Sequence, residues 1–373
     1  MRVVHIIKAT RAAGAENHLL ALLAGLRARR YDARLIVLVE PDKPMDSYAA
    51  QLQARQIPVE RLPVRGDFDA GLLLRLRAVL RALQPDIVHT HLIHADLFGG
   101  LAARLAGIRL VISSRHNDDT FRRRLPVKLL NRVLWRMTDA GIPISDSITR
   151  FSIEVEGAPP GKLRRIYYGL EAGPPLDRAA ARRDILSERG LPPESLLVGI
   201  VCRLVEQKGV RYGLEAFLKA AADFPQAHLL IAGQGPLETE LRALAAPLEE
   251  RVHFLGWRDD APRLMAALDV LLVPSLWEGF GLVILEAMAQ QTPVIGSAVS
   301  AIPEIITDGE TGLLAPPRSA DKLADALRTL LADAPLRHHL GLLARDRLES
   351  FFDAARMADE TAALYEELYA RSG

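Results

Sequence analysis

Short apolar segments alternate with segments of helical periodicity along the whole chain, and this alternation constrains the fold more than any single motif does. In the first half the predicted strands cover residues 2–8, 33–40, 87–90, 110–114 and 141–145, with a short one near 162–168. In the second half they cover residues 196–202, 227–232, 252–255, 269–273 and 293–297. Helical segments separate the strands, which should therefore pair in parallel, as in βαβ units. We predict an α/β protein, with a first helix at 15–30 and a helical tail over 321–369.

The length and the distribution of charge indicate two domains. The chain has 373 residues, which suits two α/β domains, and residues 168–177 contain two Gly and two Pro, as linkers often do. Residues 1–170 carry 27 Lys and Arg against 16 Asp and Glu, whereas residues 171–373 carry 20 against 30. The net charges are therefore +11 and −10. The basic half favours an anionic partner such as a membrane surface or an anionic acceptor, although attraction between the halves would also explain the asymmetry.

Apolar runs, the N-terminus and the cysteine content restrict where the protein is expected to work. No apolar run is long enough to span a bilayer, and the N-terminal residues read as a strand and a loop rather than a signal peptide. The single cysteine, Cys202, excludes an internal disulfide, and its apolar neighbours predict a place in the core. These features predict a cytoplasmic protein.

The segment 274–289, PSLWEGFGLVILEAMA, carries the clearest chemical signal. Glu278 lies in its glycine-bearing loop, and Glu286, with seven residues between the two, lies in the apolar helix that follows. A strand, a glycine loop and a helix N-terminus form a natural cradle for phosphate. A carboxylate beside that cradle would repel phosphate but accept hydrogen bonds from sugar hydroxyls. The segment therefore suggests a sugar nucleotide, the alternative being two solvated glutamates.

Two cations follow the strand at 196–202. Arg203 and Lys208 come directly after its carboxyl end, which is where α/β proteins bind ligands. Such a pair suits a diphosphate, although two solvated cations in a loop would look the same. After the next strand, Gly233 and Gly235 precede a proline, so the segment does not match the G-x-G-x-x-G dinucleotide fingerprint. The glycines permit a tight turn, and the proline suits the first position of a helix.

Histidines also stand near strand ends in the first half. His89, His91 and His94 invite a metal interpretation, and a strand would place the first two on one face. No cysteine or carboxylate cluster completes a site, so we predict no metal. His116 follows the strand at 110–114 and is a candidate for the active site, with Arg115 as a possible neighbour.

A predicted helix over 122–137 carries four basic residues at intervals of four, which form one stripe: Arg124, Lys128, Arg132 and Arg136. Leucines, a valine and a methionine cover the rest of its surface, and part of that surface must be core. A basic amphipathic helix can lie on an anionic membrane. The competing interpretation is a core-packed helix with a solvated basic face.

Together, the Glu-(seven residues)-Glu segment and the Arg203 to Gly209 run resemble the retaining glycosyltransferases of family 4. The resemblance implies the GT-B fold, in which two Rossmann-like domains with parallel sheets face an interdomain cleft. It implies an acceptor domain over 1–170, a donor domain over 171–352, and a C-terminal helix, about 353–373, that packs back on the first domain.

The resemblance also implies roles for these residues. Arg203 and Lys208 would contact the donor diphosphate and stabilise the leaving group, a role that a metal fills in other glycosyltransferases. Glu286 would accept hydrogen bonds from the ribose, and Glu278 and His116 would lie beside the donor hexose. Other donor contacts would come from glycines and from backbone amides, at Gly14, Gly233, Gly235, Phe280, Gly281 and Leu282.

The implied function is a retaining, metal-independent transfer of a hexose from a nucleotide diphosphate sugar, UDP-sugar first and GDP-mannose second. The acceptor would be lipid-linked, a polysaccharide or another glycan, and the enzyme would be peripheral on the inner face of the membrane, with no cofactor and no nucleic-acid partner. A nicotinamide dehydrogenase would need a G-x-G-x-x-G loop that neither half contains. A non-catalytic partner subunit or a sugar-nucleotide epimerase remain alternatives. The chain departs from the family pattern at Ala13, Tyr168, Cys202 and Ser300.

Overall fold

The computed structural model describes residues 1–10, 14–66 and 69–372. They form two compact units, Met1–Glu171 with Asp353–Gly373, and Ala172–Phe352. Each unit contains one six-stranded sheet in which all the strand pairs described are parallel, so the predicted α/β class is confirmed. Ala13, one of the positions at which the chain departs from the family pattern, lies outside the described residues.

The sheet of the first unit has the strand order β3-β2-β1-β4-β5-β6. Its strands are β1 Arg2–Ala9, β2 Asp32–Val39, β3 Val59–Pro63, β4 Ile87–His91, β5 Leu110–Arg115 and β6 Ala140–Pro143. This is the order of the Rossmann fold, in which the chain reverses its direction of progress between β1 and β4. Ligands bind outside the carboxyl ends of the strands at that switch point.

The sheet of the second unit repeats this topology, with the order β12-β11-β10-β7-β8-β9. Its strands are β7 Leu196–Val201, β8 Ala227–Ala232, β9 Val252–Gly256, β10 Val270–Val273, β11 Val294–Ser297 and β12 Leu313–Ala315. The switch point of this unit therefore lies between β7 and β10.

Helices connect the strands and cover the sheets. In chain order they are α1 Gly14–Ala28, α2 Asp46–Ala54, α3 Ala70–Leu83, α4 Leu92–Ala106, α5 Leu125–Met137, α6 Asp146–Glu154, α7 Arg178–Arg189, α8 Val210–Ala220, α9 Glu238–Ala245, α10 Ala261–Ala267, α11 Leu282–Ala289, α12 Ile302–Ile305, α13 Ala320–Ala332, α14 Ala334–Phe351 and α15 Ala354–Ser372. The last helix packs against α1, and its Met357, Ala358 and Tyr365 share a core with Leu19 and Leu23. The apolar face of α15 is thus part of the first unit.

The strand predicted near 162–168 is wrong, because only a single bridge forms between Leu163 and Gly141. The amides of Arg164 and Ile166 donate to the carbonyls of Gly141 and Pro143, at 2.9 and 3.1 Å. The next return bond would need an amide hydrogen on Pro143, which proline lacks. The ladder therefore ends after one bridge.

Two strands were not predicted, and both are at sheet edges. β3 exposes Glu60, Arg61 and Pro63, so its sequence lacks an apolar run, and β12 has only three residues. Edge strands are often short and polar because only one side of the strand is paired, which weakens their sequence signal.

Candidate active site

Two loops meet at the switch point of the second unit. One follows β7 and contains Arg203 and Lys208; the other follows β10 and contains Glu278. The amide of Leu276 donates to the carbonyl of Gln207 at 2.8 Å, which joins the loops. At Gly209, φ is +58° and an added Cβ would lie 2.1 Å from the Pro274 carbonyl oxygen. This approach of backbone to backbone requires glycine.

Lys208 and Glu278, which are 70 residues apart in sequence, form an ion pair in this loop junction. Lys208 Nζ lies 2.5 Å from Glu278 Oε2, and the side chains are 16% and 10% exposed. Ser275 Oγ donates to the same oxygen at 3.3 Å. The structure therefore couples two residues that the sequence assigned to separate motifs, and the lysine charge is balanced by Glu278.

Arg203 has a different environment from Lys208. Its side chain is exposed, and its one described hydrogen bond, to Gln207 Oε1, is 3.4 Å long. The described residues offer Arg203 no carboxylate partner, so its guanidinium is available to an anion. Cys202, expected in the core, is only partly buried just beyond β7. Burial raises the pKa of its thiol to about 12, so it remains protonated and is a poor nucleophile.

The helix α11 begins at this site. Gly281 precedes it at φ +110°, and the buried ring of Phe280 packs edge-on against Phe352 at 5.9 Å, which fixes the loop. The first amides of a helix, here from Leu282 onward, lack partners within the helix and favour anions. One turn further, the half-buried Glu286 makes no hydrogen bond or ion pair with any described residue. Burial raises the pKa of its carboxyl group.

Gly233 and Gly235 allow the turn after β8 to lie directly against the loop after β7. An added Cβ would be 1.8 Å from the Cys202 carbonyl oxygen at Gly233, and 2.2 Å from that of Leu204 at Gly235. The glycines thus support the backbone that carries Arg203. The sequence suggested that Pro236 begins the next helix, but α9 starts two residues later, at Glu238.

In the first unit, His116 directly follows β5 and is buried. Its Nε2 lies 3.0 Å from His91 Nδ1, and its Nδ1 is hydrogen-bonded to the Tyr168 hydroxyl. Burial is the main cause that lowers the pKa of His116, and the nearby cations Arg122 and Arg115 lower it further, to about 3. The imidazole is therefore neutral at physiological pH. Gly14, the exposed first residue of α1, is the other predicted donor contact of this unit.

The switch point of the first unit contains more histidines than the sequence patterns indicated. His5 on β1 pairs in register with His89 on β4, and His91 follows on the same face, with the rings of His89 and His91 stacked at 4.3 Å. The ligating nitrogens of these three buried residues lie within 4.8 Å of one another. His18 and Tyr365 line the same cluster. A lone histidine in a strand gave no sequence signal, so His5 was missed.

Arg115, suggested as a neighbour of His116, lies close enough to lower the pKa of His116, but its guanidinium is held by other groups of the unit. Its guanidinium forms ion pairs with Asp96 at 2.8 Å and Glu156 at 3.5 Å, and it lies 4.5 Å from the Trp135 ring centroid. With the side chain 2% exposed, Arg115 belongs to the interior of this unit.

The basic helix is shorter than predicted and only partly core. Arg124 is its N-cap residue, so the helical part of the stripe comprises Lys128, Arg132 and Arg136. Leu134 and Trp135 are buried, but an adjacent stripe of apolar side chains faces outward: Leu125 is 69% exposed, Leu129 50% and Val133 48%. The outer surface of α5 is therefore basic and apolar at the same time.

Comparisons with known proteins agree with this architecture. A family model described as glycosyltransferase family 4 matches residues 12–172, and one described as glycosyl transferases group 1 matches residues 195–333. A phosphatidyl-myo-inositol mannosyltransferase of Mycobacterium leprae is 29% identical over 95% of this chain and 92% of its own. A glycogen synthase of Mycobacterium tuberculosis is 32% identical over 79% of this chain and 72% of its own. The solved structure of Anabaena HepE in complex with UDP and glucose has a TM-score of 0.85 at 22% identity, over 98% of this chain and 100% of that one.

Proposed function

The chain belongs to glycosyltransferase family 4, with the GT-B fold and nucleotide sugars as donors, and we propose that it is a retaining, metal-independent hexosyltransferase. The proposed donor is a UDP-sugar, with GDP-mannose the second choice. The proposed acceptor is a lipid-linked sugar, a polysaccharide or another glycan. The observation that carries this proposal is a cluster at the switch point of the second unit. It comprises Arg203, the Lys208–Glu278 pair and Glu286, which has no hydrogen-bond or ion-pair partner among the described residues.

The donor would bind to this cluster by charge and by hydrogen bonding. Arg203 and the first amides of α11 would receive the diphosphate, since both present positive charge. Glu286 would accept hydrogen bonds from the ribose hydroxyls, which suits a half-buried carboxylate that has no partner in the part of the chain that the structure describes. HepE, a structure of the same fold, holds UDP and glucose, which supports a uridine nucleotide as the first donor to test.

Departure of the nucleotide would be the step that the site assists. As the bond between the anomeric carbon and the phosphate oxygen breaks, negative charge grows on the diphosphate, and Arg203 and Lys208 would stabilise it. The acceptor oxygen would form the new bond on the same face of the sugar, and its proton would pass to the departing phosphate. We assign no covalent nucleophile, and His116 would contact the hexose as a neutral imidazole. The two cations and the helix N-terminus would perform the work that a metal does elsewhere.

The first experiment is a panel of UDP-, GDP- and ADP-sugars with EDTA, in which free nucleotide is measured for the wild type and for Glu286→Ala. We expect one donor to release nucleotide slowly, and the variant to lose roughly 10- to 100-fold in kcat/KM, because a charge-assisted hydrogen bond contributes about 1.5–3 kcal/mol. Glu240→Ala, at an exposed position of α9, is the matched control and should retain activity.

Other outcomes of the panel separate the alternatives. Binding of a donor without release, even with lipid-linked and glycan acceptors added, would favour a non-catalytic partner subunit. Conversion of a donor to its stereoisomer would identify an epimerase. If no donor is bound or turned over, the assignment of the donor site in the second unit is wrong.

We also propose that α5 docks on an anionic membrane. Its exposed Leu125, Leu129 and Val133 would enter the interface while Lys128 and Arg132 contact anionic headgroups, as amphipathic basic helices do. The Mycobacterium leprae relative is named for a phosphatidylinositol acceptor, which supports a lipid-linked substrate near that surface. No helix among the described residues has the length and hydropathy needed to cross a bilayer.

Vesicle co-sedimentation tests the docking surface. Lys128→Glu/Arg132→Glu/Arg136→Glu should weaken binding to vesicles with anionic lipid by about 100-fold, since each basic residue near the surface contributes about 1 kcal/mol. Arg81→Glu/Arg109→Glu/Arg150→Glu changes the charge equally at exposed positions outside α5 and should have a much smaller effect. Equal losses in both triple variants would contradict a specific role for α5.

A further inference from the structure

A continuous chain of hydrogen bonds runs through the core of the first unit. It starts at Tyr168, whose hydroxyl bonds His116, and His116 Nε2 meets His91 Nδ1 at 3.0 Å. The remaining contacts are His91 Nε2 to His5 Nδ1 at 3.0 Å, His5 Nε2 to the Tyr365 hydroxyl at 3.4 Å, the Tyr365 hydroxyl to His89 Nδ1 at 2.6 Å, and His89 Nε2 to Ser114 Oγ at 2.8 Å. Both ring nitrogens of each histidine in this chain are thereby engaged.

The protons of this chain must all point the same way. Burial lowers the pKa of His5 to about 3 and that of His89 and His91 well below the usual value, so each ring is neutral, with one donor and one acceptor nitrogen. If the Tyr168 hydroxyl donates to His116 Nδ1, then His116 must donate from Nε2, and every later contact follows in the same direction to Ser114. The opposite direction, from Ser114 to Tyr168, would place every one of these protons on the other nitrogen of its ring.

A break in direction at one link is costly. It would set two donors or two acceptors against each other in the core, and would leave buried polar groups without a hydrogen bond. The tautomer of one ring is therefore tied to that of the next, although the residues come from β1, β4, the end of β5 and α15.

We propose that this chain, from Tyr168 through the four histidines and Tyr365 to Ser114, is a neutral relay that sets the tautomer of His116. His91, Tyr168 and Tyr365 are then positioning residues for the sugar transfer, because they hold the imidazole of His116 in one tautomer and one orientation. His91 and Tyr168 do so through its ring nitrogens, and Tyr365 through His5 and His91. This second step rests on the proposed function. A coordinated switch of the relay moves one proton across each link and changes no charge.

Metal binding is the alternative role for the same histidines. The nitrogens of His5, His89 and His91 are close enough to share an ion. However, those of His91 already face His5 and His116, and those of His89 face Tyr365 and Ser114 at hydrogen-bond distance. A metal would have to break at least two of these bonds, whereas the relay leaves each one intact.

The test is ¹⁵N NMR of the histidine side chains in the intact 373-residue chain, which reports the tautomer of each ring without any turnover. In the wild type at pH 7 we expect His5, His89, His91 and His116 to be neutral, each with one dominant tautomer. Tyr365→Phe removes the central hydroxyl, so His116 should become a mixture of tautomers although it is three links away. Tyr48→Phe is the matched control, because Tyr48 is equally buried but bonds the Glu16 carbonyl, outside the relay.

Kinetics and zinc addition complete the experiment. With the donor found in the nucleotide panel, Tyr365→Phe should lower kcat about tenfold with little change in KM, and Tyr48→Phe should not. An imidazolium in the chain, an unchanged His116 signal in Tyr365→Phe, or stoichiometric binding of Zn²⁺ that shifts the His5, His89 and His91 signals would each overturn the relay. Absence of turnover with all donors would instead count against the proposed function, since the tautomer measurement does not depend on it.

Discussion

Lys208→Ala should reduce kcat by about 10²- to 10³-fold, the loss typical of removing one group that stabilises charge in a transition state. Two effects combine. The variant loses a cation that would face the departing diphosphate, and it leaves the Glu278 carboxylate, 10% exposed, without its partner. An uncompensated carboxylate beside a diphosphate repels it, so KM for the donor should rise as well.

A double-mutant cycle separates the two effects. Lys208→Ala/Glu278→Gln removes the unpaired charge, so it should recover much of the donor affinity, but not kcat. Arg211→Ala serves as the matched control, because Arg211 belongs to an exposed pair with Glu215 on α8. Donor affinity is measured by calorimetry and kcat by nucleotide release. A loss in kcat below about fivefold for Lys208→Ala would remove Lys208 from the catalytic set.

Acidification from pH 7.5 to 5.5 should destabilise the first unit by about 7 kcal/mol. Burial depresses the pKa of five histidines in its core: His5, His18, His89, His91 and His116. In the unfolded chain these groups bind protons below about pH 6.5, whereas in the folded unit His5 and His116 stay neutral down to about pH 3. The unfolded state binds more protons in this window, so stability is full above pH 6.5 and falls as the pH decreases.

The size of this effect follows from the number of groups. Each depressed histidine contributes about 1.4 kcal/mol per pH unit below its unfolded pKa, so five together approach the whole stability of an ordinary domain. The cations Arg122 and Arg115 beside His116 further oppose its protonation. Glu16 is the nearby group of opposite charge, and it raises the pKa of Tyr168.

Urea unfolding at several pH values measures this loss. Trp135 is buried in the first unit, so in a Trp257→Phe/Trp277→Phe background its fluorescence reports that unit alone. The midpoint should move to much lower urea between pH 6.5 and 5.5. His339→Gln, at an exposed position, should show the same decrease. A midpoint that does not change across this range would mean that the buried histidines are protonated in the folded unit.

Much of the fold follows from local sequence patterns. Apolar segments separated by helical periodicity specify parallel sheets, and most predicted strands agree with the structure to within one or two residues. The glycines at 209, 233 and 235 are also readable, because a close approach of backbones excludes other residues. Pro143 could have corrected the false strand near 162–168, since proline cannot continue a ladder.

The partners of the site residues were decided by tertiary structure alone. Nothing local pairs Lys208 with Glu278, brings His5 to His91, or turns Leu125 and Leu129 outward. Periodicity reports which face of an element is apolar, but not which element it meets. Those meetings depend on strand order and register, which bring residues 70 or more positions apart within hydrogen-bond distance. The sequence by itself therefore determined the two parallel sheets and the strand ends that carry the functional residues. The strand order at each switch point, a property of the tertiary structure, decided which charged groups and imidazoles contact one another.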